Sequence, residues 1–516
     1  MMTLIRLWAA IATLVVAALL AGSLPLAAAQ PDDPVRGQAY GRVKDTVVVS
    51  FERGASSAQR GRAAASVRAT KVEKLSRSQP DYVAMKLPPG QSVDQAIERL
   101  ERQSGVRRAE PDYVVQAAPL SDDPSFVSGQ LWGMLGDDTS PANQFGSGAA
   151  EAWADGATGR SSVYVGVIDS GIQIEHPDLR DNIWTNALEF GGDPDVDDDG
   201  NGYVDDINGW DFSAPENGDA SVYDGTFDDH GTHVAGTIGA KGGNGLGVVG
   251  VNWDVGIIPA KFIGSDGTGS FWNATRAIQY LTDLKLDQGL NIVATNNSWG
   301  CRSTQCDPSS YLLEAIDRGG DAGILFIGAA GNDIRNLQGG VSYYPSSLQC
   351  DNGGSRGWDC MVSVASITSS GDLSWFSNYG AVRVDLGGPG SDVYSTVPDG
   401  YGSKSGTSMA TPHVAGAVAL CASIDPSLSA EAIRGKLMSS TTPTGSLAGK
   451  TVTGGRLDIG NLYGLCRPPV TVPPIVGSDR TTAGGRDTAR ARGAGPRGGH
   501  SAPVPPDEVR RAAGGA

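Results

Sequence analysis

The chain runs to 516 residues with 72 glycines and a formal net charge of −17. That length exceeds one ordinary domain, and so much glycine without a collagen period describes a loop-rich globular protein with many tight turns. The acidic balance argues against a nucleic-acid partner, because phosphate contacts need a basic face.

Residues 1–29 read as a signal peptide. Arg6 supplies the positive end, residues 7–20 the apolar core, and Ala27-Ala28-Ala29 a small-residue cleavage site before Gln30. The competing reading, an uncleaved anchor helix, is weakened by the short core and its breaks at Gly22 and Pro25. No later segment reads as a membrane span, so a secreted, extracellular protein is expected, and a monomer. Residues 30–120 form the next compartment. Residues 46–50 are β-rich, 82–87 alternate, Ala96, Ile97 and Leu100 recur at helical spacing, and Tyr113-Val114-Val115 closes as a strand. The pattern is strand, helix, strand, helix, strand: a small α+β unit, followed by a Pro/Asp/Ser-rich linker at 117–125.

The largest compartment, 121–466, alternates apolar runs at 163–168, 256–262, 292–295, 323–328 and 361–365 with helical segments at 231–238, 273–284, 309–318 and 408–423. Such alternation predicts an α/β fold, a central parallel sheet with helices on both faces and functional groups at the carboxyl ends of its strands. Residues 467–516 turn abruptly to Pro, Gly, Ala, Thr and Arg, and predict a disordered tail. Its arginines could meet an anionic surface, or the tail could be solvated or trimmed. The cysteines suit an oxidising compartment. Cys301 and Cys306 close one short loop and Cys350 and Cys360 another, leaving Cys421 for Cys466. A zinc site is disfavoured, since no CxxC occurs and no histidine lies close to a cysteine pair.

Four short segments carry chemistry. Asp169, in Val167-Ile168-Asp169-Ser170-Gly171, leaves an apolar strand where a carboxylate can accept from an imidazole Nδ1–H; alone, it could equally cap a helix. His230 opens Asp229-His230-Gly231-Thr232-His233, a glycine-flanked helix start. His233 lies near the same helix face and is its rival, but His230 precedes the helix at the mouth. Ser408, in Gly406-Thr407-Ser408-Met409-Ala410, stands at a helix N-terminus, where backbone N–H groups can stabilise developing negative charge. Pro412 is expected in that helix's first turn, where its missing N–H costs nothing. Asn332, closing Ala329-Ala330-Gly331-Asn332, offers an amide donor to an oxyanion beside the Ser408 N–H.

Taken together and in this order along the chain, the segments around Asp169, His230, Asn332 and Ser408 resemble those of the subtilisin-like serine proteases. The resemblance spans about 45–465, since the leading unit is similar to the family's inhibitory, ferredoxin-like propeptide and residues 454–458 look like its closing segment. It implies a three-layer subtilisin-like fold and a secreted serine endopeptidase made as a zymogen. Ser408 would be the nucleophile, His230 its general base, Asp169 the group orienting the imidazole and Asn332 an oxyanion donor. Carried over to matching positions, Ser298-Trp299-Gly300 would form one wall of the S1 pocket and Gly267-Thr268-Gly269 an edge strand pairing with peptide substrate, with Phe271 beside a more distal pocket. Trp299 could equally be a core aromatic. The propeptide would occupy the groove as intramolecular inhibitor until Ser408 cuts between Gln116 and Ser121. A catalytically silent scaffold and an esterase on the same triad are the other readings; the first usually lacks a working group, and digestion of casein separates the second.

One structural calcium site is expected, and a second is suggested. Read from Asp197, oxygens recur at Asp199, Asn201, the Tyr203 carbonyl and Asp205 or Asp206, with Gly202 at the sharp turn, as in an EF-hand-like calcium loop of structural role. The fainter second site follows the family resemblance: Asp178, the Asn244 side chain and the carbonyls of Leu246 and Val248.

Overall fold

The computed structural model describes residues 42–76, 81–113, 120–215, 218–338, 341–350 and 357–468. The signal segment, most of the expected cleavage region and the tail beyond 468 lie outside them.

In the leading unit, β1 (Arg42–Phe51), β2 (Lys71–Lys74), β3 (Tyr82–Lys86) and β4 (Val106–Tyr113) form an antiparallel sheet in the order β2-β3-β1-β4. Helices α1 (Ser57–Ser66) and α2 (Val93–Glu101) start at Ser56 and Ser92, whose hydroxyls accept from the backbone N–H three residues on. Val47, Val49, Phe51, Val83, Met85 and Leu100 make the core. Two sequence expectations need correction. Strand β2 was not foreseen because all four of its residues are exposed, so no alternation betrays it. The last strand starts at Val106 rather than Tyr113, since exposed Arg107 and Arg108 hide its period.

The large unit is built on a nine-stranded sheet in the order β16-β17-β13-β12-β10-β8-β5-β7-β6. Its members are β5 (Gly159–Asp169), β6 (Trp210–Asp211), β7 (Asp254–Lys261), β8 (Ile292–Asn297), β10 (Leu325–Ala329), β12 (Met361–Ile367), β13 (Leu386–Pro389), β16 (Thr442–Pro443) and β17 (Gly455–Arg456). Every pairing is parallel except β16 with β17. The five expected strands are the buried ones whose apolar runs need no alternation. The chain goes from β5 to β7 on one side and returns to β8 on the other, so the order reverses about β5. A topological switch of this kind opens a crevice at the strand carboxyl ends.

Helices α3 (Ala149–Ala154), α4 (Asp229–Gly239), α5 (Phe271–Asp287), α6 (Ser310–Asp321), α7 (Thr407–Ile424), α8 (Ala430–Ser439) and α9 (Ile459–Cys466) accompany the sheet. Helix α7 is long and apolar enough to cross a membrane, yet it is buried almost throughout and packs into the core with Val165, Val234 and Leu325. Disulfides join Cys301 to Cys306, Cys350 to Cys360 and Cys421 in α7 to Cys466 in α9.

Candidate active site

Hydrogen bonds join the four segments in two pairs, Asp169 with His230 and Asn332 with Thr407 beside Ser408. Asp169 is the last residue of β5 and fully buried; His230 is the second residue of α4; Asn332 follows β10; Ser408 is the second residue of α7. His230 Nδ1 lies 2.8 Å from Asp169 Oδ1, which also accepts from Ser170 N at 2.7 Å. Burial pushes the His230 pKa down, but the Asp169 carboxylate more than offsets this and holds it above the ordinary value. His233, the rival, is fully buried with Nε2 on the Val393 carbonyl, and burial drives its pKa to about 3. It is a neutral core group.

Ser408 Oγ donates to the Ser298 carbonyl at 3.1 Å, and Ser298 Oγ donates back to the Ser408 carbonyl at 2.8 Å. Here the expectation for Pro412 is corrected. It is the sixth residue of α7, so its missing N–H leaves the Ser408 carbonyl without its helical donor, and the Ser298 hydroxyl takes that place. Thr407, missed by the sequence reading, accounts for the pose of Asn332. Its N–H and hydroxyl both donate to Asn332 Oδ1, at 2.9 and 3.0 Å, which turns Nδ2 the other way. A Cβ built on Gly406 would lie 3.5 Å from Asn332 Nδ2 and 3.6 Å from Ser408 N, so the two nitrogens border one small space beside the glycine.

Behind this pair lies fully buried Lys261, the end of β7 and the register partner of Asp169. Its ammonium meets Asp228 Oδ1 at 2.8 Å and Asp224 Oδ2 at 3.2 Å, and also donates to the carbonyls of Ser170 and Ile263. One cation thus ties the turn after Asp169 to the residues just ahead of His230. A buried lysine in an apolar strand gave a sequence signal that was not taken.

A cavity of about 840 Å³ extends from His230, lined by Ser298, Trp299, Gly300, Gly267, Thr268, Gly269 and Phe271. Residues 267–269 form no strand: a turn closed by Gly264 N on the Thr268 carbonyl carries them along the wall. Trp299 packs edge-on against Phe262 and Phe326, as the core-aromatic reading expects, and also borders the cavity.

The acidic loop brings Glu189, Asp199 and Asp206 together, with carboxylate oxygens within 4.8 Å of one another. Burial pushes Asp206 up to about 6. Three converging carboxylates fit a hard divalent cation. Asn201 lies between Asp199 and Asp206, 3.1 and 3.0 Å away. Asp197 instead accepts from Asn201 N and Gly202 N, Asp205 from Asp195 N, and the Tyr203 ring packs edge-on among Trp210, Phe212 and Tyr280. Glu189 was missed because it precedes the loop in the short helix Ala187–Phe190.

At the second cluster, Asn244 Nδ2 donates to Asp178 Oδ1 at 2.9 Å, Val248 N to Asp178 Oδ2 at 3.0 Å and Leu246 N to Asn244 Oδ1 at 2.8 Å. Asp123, fully buried, accepts from the N–H groups of Gly243, Asn244 and Gly245. Its place in the linker-like 117–125 stretch hid it.

A carboxylate-braced imidazole, a serine at a helix start and two convergent donors are the parts of a serine hydrolase. Comparison with known proteins gives the family. The subtilase family model matches residues 160–465, and a model of the fervidolysin N-terminal prodomain matches 27–112. The chain belongs to the subtilase family. It is 35% identical over 312 residues to subtilisin-like protease 1 of Plasmodium berghei, covering 57% of this chain and 48% of that one. It thus spans about half that relative's length. Against subtilisin DY of Bacillus licheniformis it is 33% identical over 286 residues, covering 55% of this chain and 85% of the relative. A solved protease from Pseudoalteromonas arctica superposes with a TM-score of 0.52 at 25% identity, covering 67% of this chain and all of that one.

Proposed function

We propose that the chain is a serine endopeptidase, exported as a zymogen, matured by its own active site and stabilised by calcium. The observation that carries this reading is the Asp169–His230 bond, together with a serine at a helix start whose backbone N and Asn332 Nδ2 border one small space. In the reaction, Ser408 Oγ attacks the peptide carbonyl carbon and its proton passes to His230 Nε2. The carbonyl oxygen becomes an oxyanion between Asn332 Nδ2 and Ser408 N. Collapse expels the amine, which takes the proton from His230, and water activated by the same imidazole hydrolyses the acyl-enzyme.

Residues 30–120 act as propeptide and intramolecular inhibitor, 121–466 as the catalytic domain. Support comes from the prodomain match over 27–112 and from the change of architecture between the two. Export is supported by the signal-like residues 1–29 and three disulfides. Glu189, Asp199 and Asp206 would hold one calcium ion, and Asp123, Asp178 and Asn244 a second; the ion supplies positive charge that clamps each loop. The partners are peptide or protein substrates.

A fluorophosphonate probe tests the reading. Mass spectrometry should find one adduct, on Ser408, and none on Ser408→Ala. A folded wild-type protein that stays unlabelled would overturn it.

A further inference from the structure

Adjacent strands β8 and β10 send their chains out side by side, Ser298-Trp299-Gly300 from one and Ala329-Ala330-Gly331 from the other. Both runs lead to the proposed nucleophile, Ser298 through its bonds with Ser408 and Gly331 through its N–H to Thr407 Oγ1 at 3.1 Å. A substrate acylating Ser408 would insert the side chain on the acyl side of the scissile bond, P1, into the slot between these walls.

That slot is occupied. Tyr343, on the two-residue strand β11 (Tyr343–Tyr344), is brought there by antiparallel pairing with β9 (Cys301–Arg302). Its ring touches both walls. A Cβ added at Gly331 would come within 2.8 Å of ring atoms Cγ and Cδ2, and one at Gly300 would overlap the opposite edge of the ring. The ring also packs on the buried cluster that contains Ala330. Tyr343 borders the large cavity, whereas Ala329, Ala330 and Gly331 do not, as expected if the ring covers that wall. A second closure lies further out. Arg302, two residues after Gly300, forms an ion pair with Asp333, next after Asn332, so the chains leaving the two walls are joined further out.

We infer that Tyr343 fills the P1 slot and that the enzyme accepts glycine, alanine or serine there while refusing aromatic, long aliphatic and basic side chains. This rests on Ser408 being the nucleophile. The aromatic cavity beyond Trp299 then takes over recognition further along the peptide, and Tyr343 is a specificity-determining residue. The ring, not the hydroxyl, does the excluding.

The test uses mature enzyme and a series of chromogenic peptides identical except for Ala, Phe or Lys at P1. Wild type should show kcat/KM for Ala above that for Phe and for Lys by about 10-fold or more, the scale on which filled pockets discriminate. Tyr343→Gly should raise the Phe-to-Ala ratio by about 10-fold or more, and Tyr343→Phe should keep the wild-type ratio. Fluorophosphonate labelling of each variant shows that its active site is assembled. A wild-type enzyme that labels yet cleaves the Phe peptide as fast as the Ala peptide overturns the inference, as does a labelled Tyr343→Gly with an unchanged ratio. Absence of labelling in wild type would instead overturn the serine-peptidase reading, and this inference with it.

Discussion

His230 works as a base only when neutral, so its environment sets the acidic limit of activity. Burial lowers its pKa, the charge and hydrogen bond of Asp169 raise it further, and the balance lies above 6.5. The acidic limb of kcat/KM should therefore have its midpoint above 6.5, activity falling as pH drops through it. In Asp169→Asn, burial acts without that compensation, and the midpoint of the residual activity should fall below 6.5. A pH–rate profile of both proteins checks the sign. Thr407 is the other residue-scale test. Its hydroxyl grips the carbonyl of Asn332 and accepts from Gly331 N, leaving Asn332 Nδ2 untouched, so Thr407→Val should lower kcat by about 10- to 100-fold with little change in KM, less than the ~10²–10³ loss from deleting a donor. Steady-state kinetics on one peptide decide it. Asp169, His230, Asn332 and Ser408 were legible because each stands in a short glycine-rich segment at an element end. Thr407 and Ser298 were harder to read, since their roles lie in hydrogen bonds across the fold to Asn332 and to a carbonyl freed by Pro412.

At the scale of elements, the site depends on β5, β7 and α4 being held in register, and Lys261 links all three. Lys261→Met would leave the buried Asp228 carboxylate without its counter-ion, beside the exposed Asp224. It should cost about 3–5 kcal/mol of stability, and Lys261→Met/Asp228→Asn should recover part of that. Urea unfolding of the two variants measures both. The strands flanking this region could be read from apolar runs because both faces are buried. The outer elements could not: β6 and β17 have two residues each, and β13 is Leu386-Gly387-Gly388-Pro389, whose composition argues for a turn although the sheet makes it a strand. Helix α8 is short and only Ile433 and Leu437 are buried in it, too little for a clear helical period.

For the whole molecule, Glu189, Asp199 and Asp206 concentrate like charge in one place, and Asp123 and Asp178 both meet Asn244 in another. Chelating calcium should lower the thermal midpoint by several degrees, corresponding to about 3–4 kcal/mol if the ion is present at ~10²–10³ times its dissociation constant. Glu189→Gln should shrink that shift without removing it, because the Asp123–Asp178 cluster remains. A calorimetric scan with and without chelator distinguishes these outcomes. The existence of the acidic loop was plain from sequence; which carboxylates converge was not, since Glu189 and Asp206 meet only through the folding of a helix that lies before the loop. The central claim, that this fold hydrolyses peptide bonds through Ser408, is tested most directly by incubating purified mature protein with casein and following fragment release. Wild type should digest the casein, and Ser408→Ala, folded to the same thermal midpoint, should leave it intact. Equal digestion by both proteins, or none by a folded wild type, would contradict it.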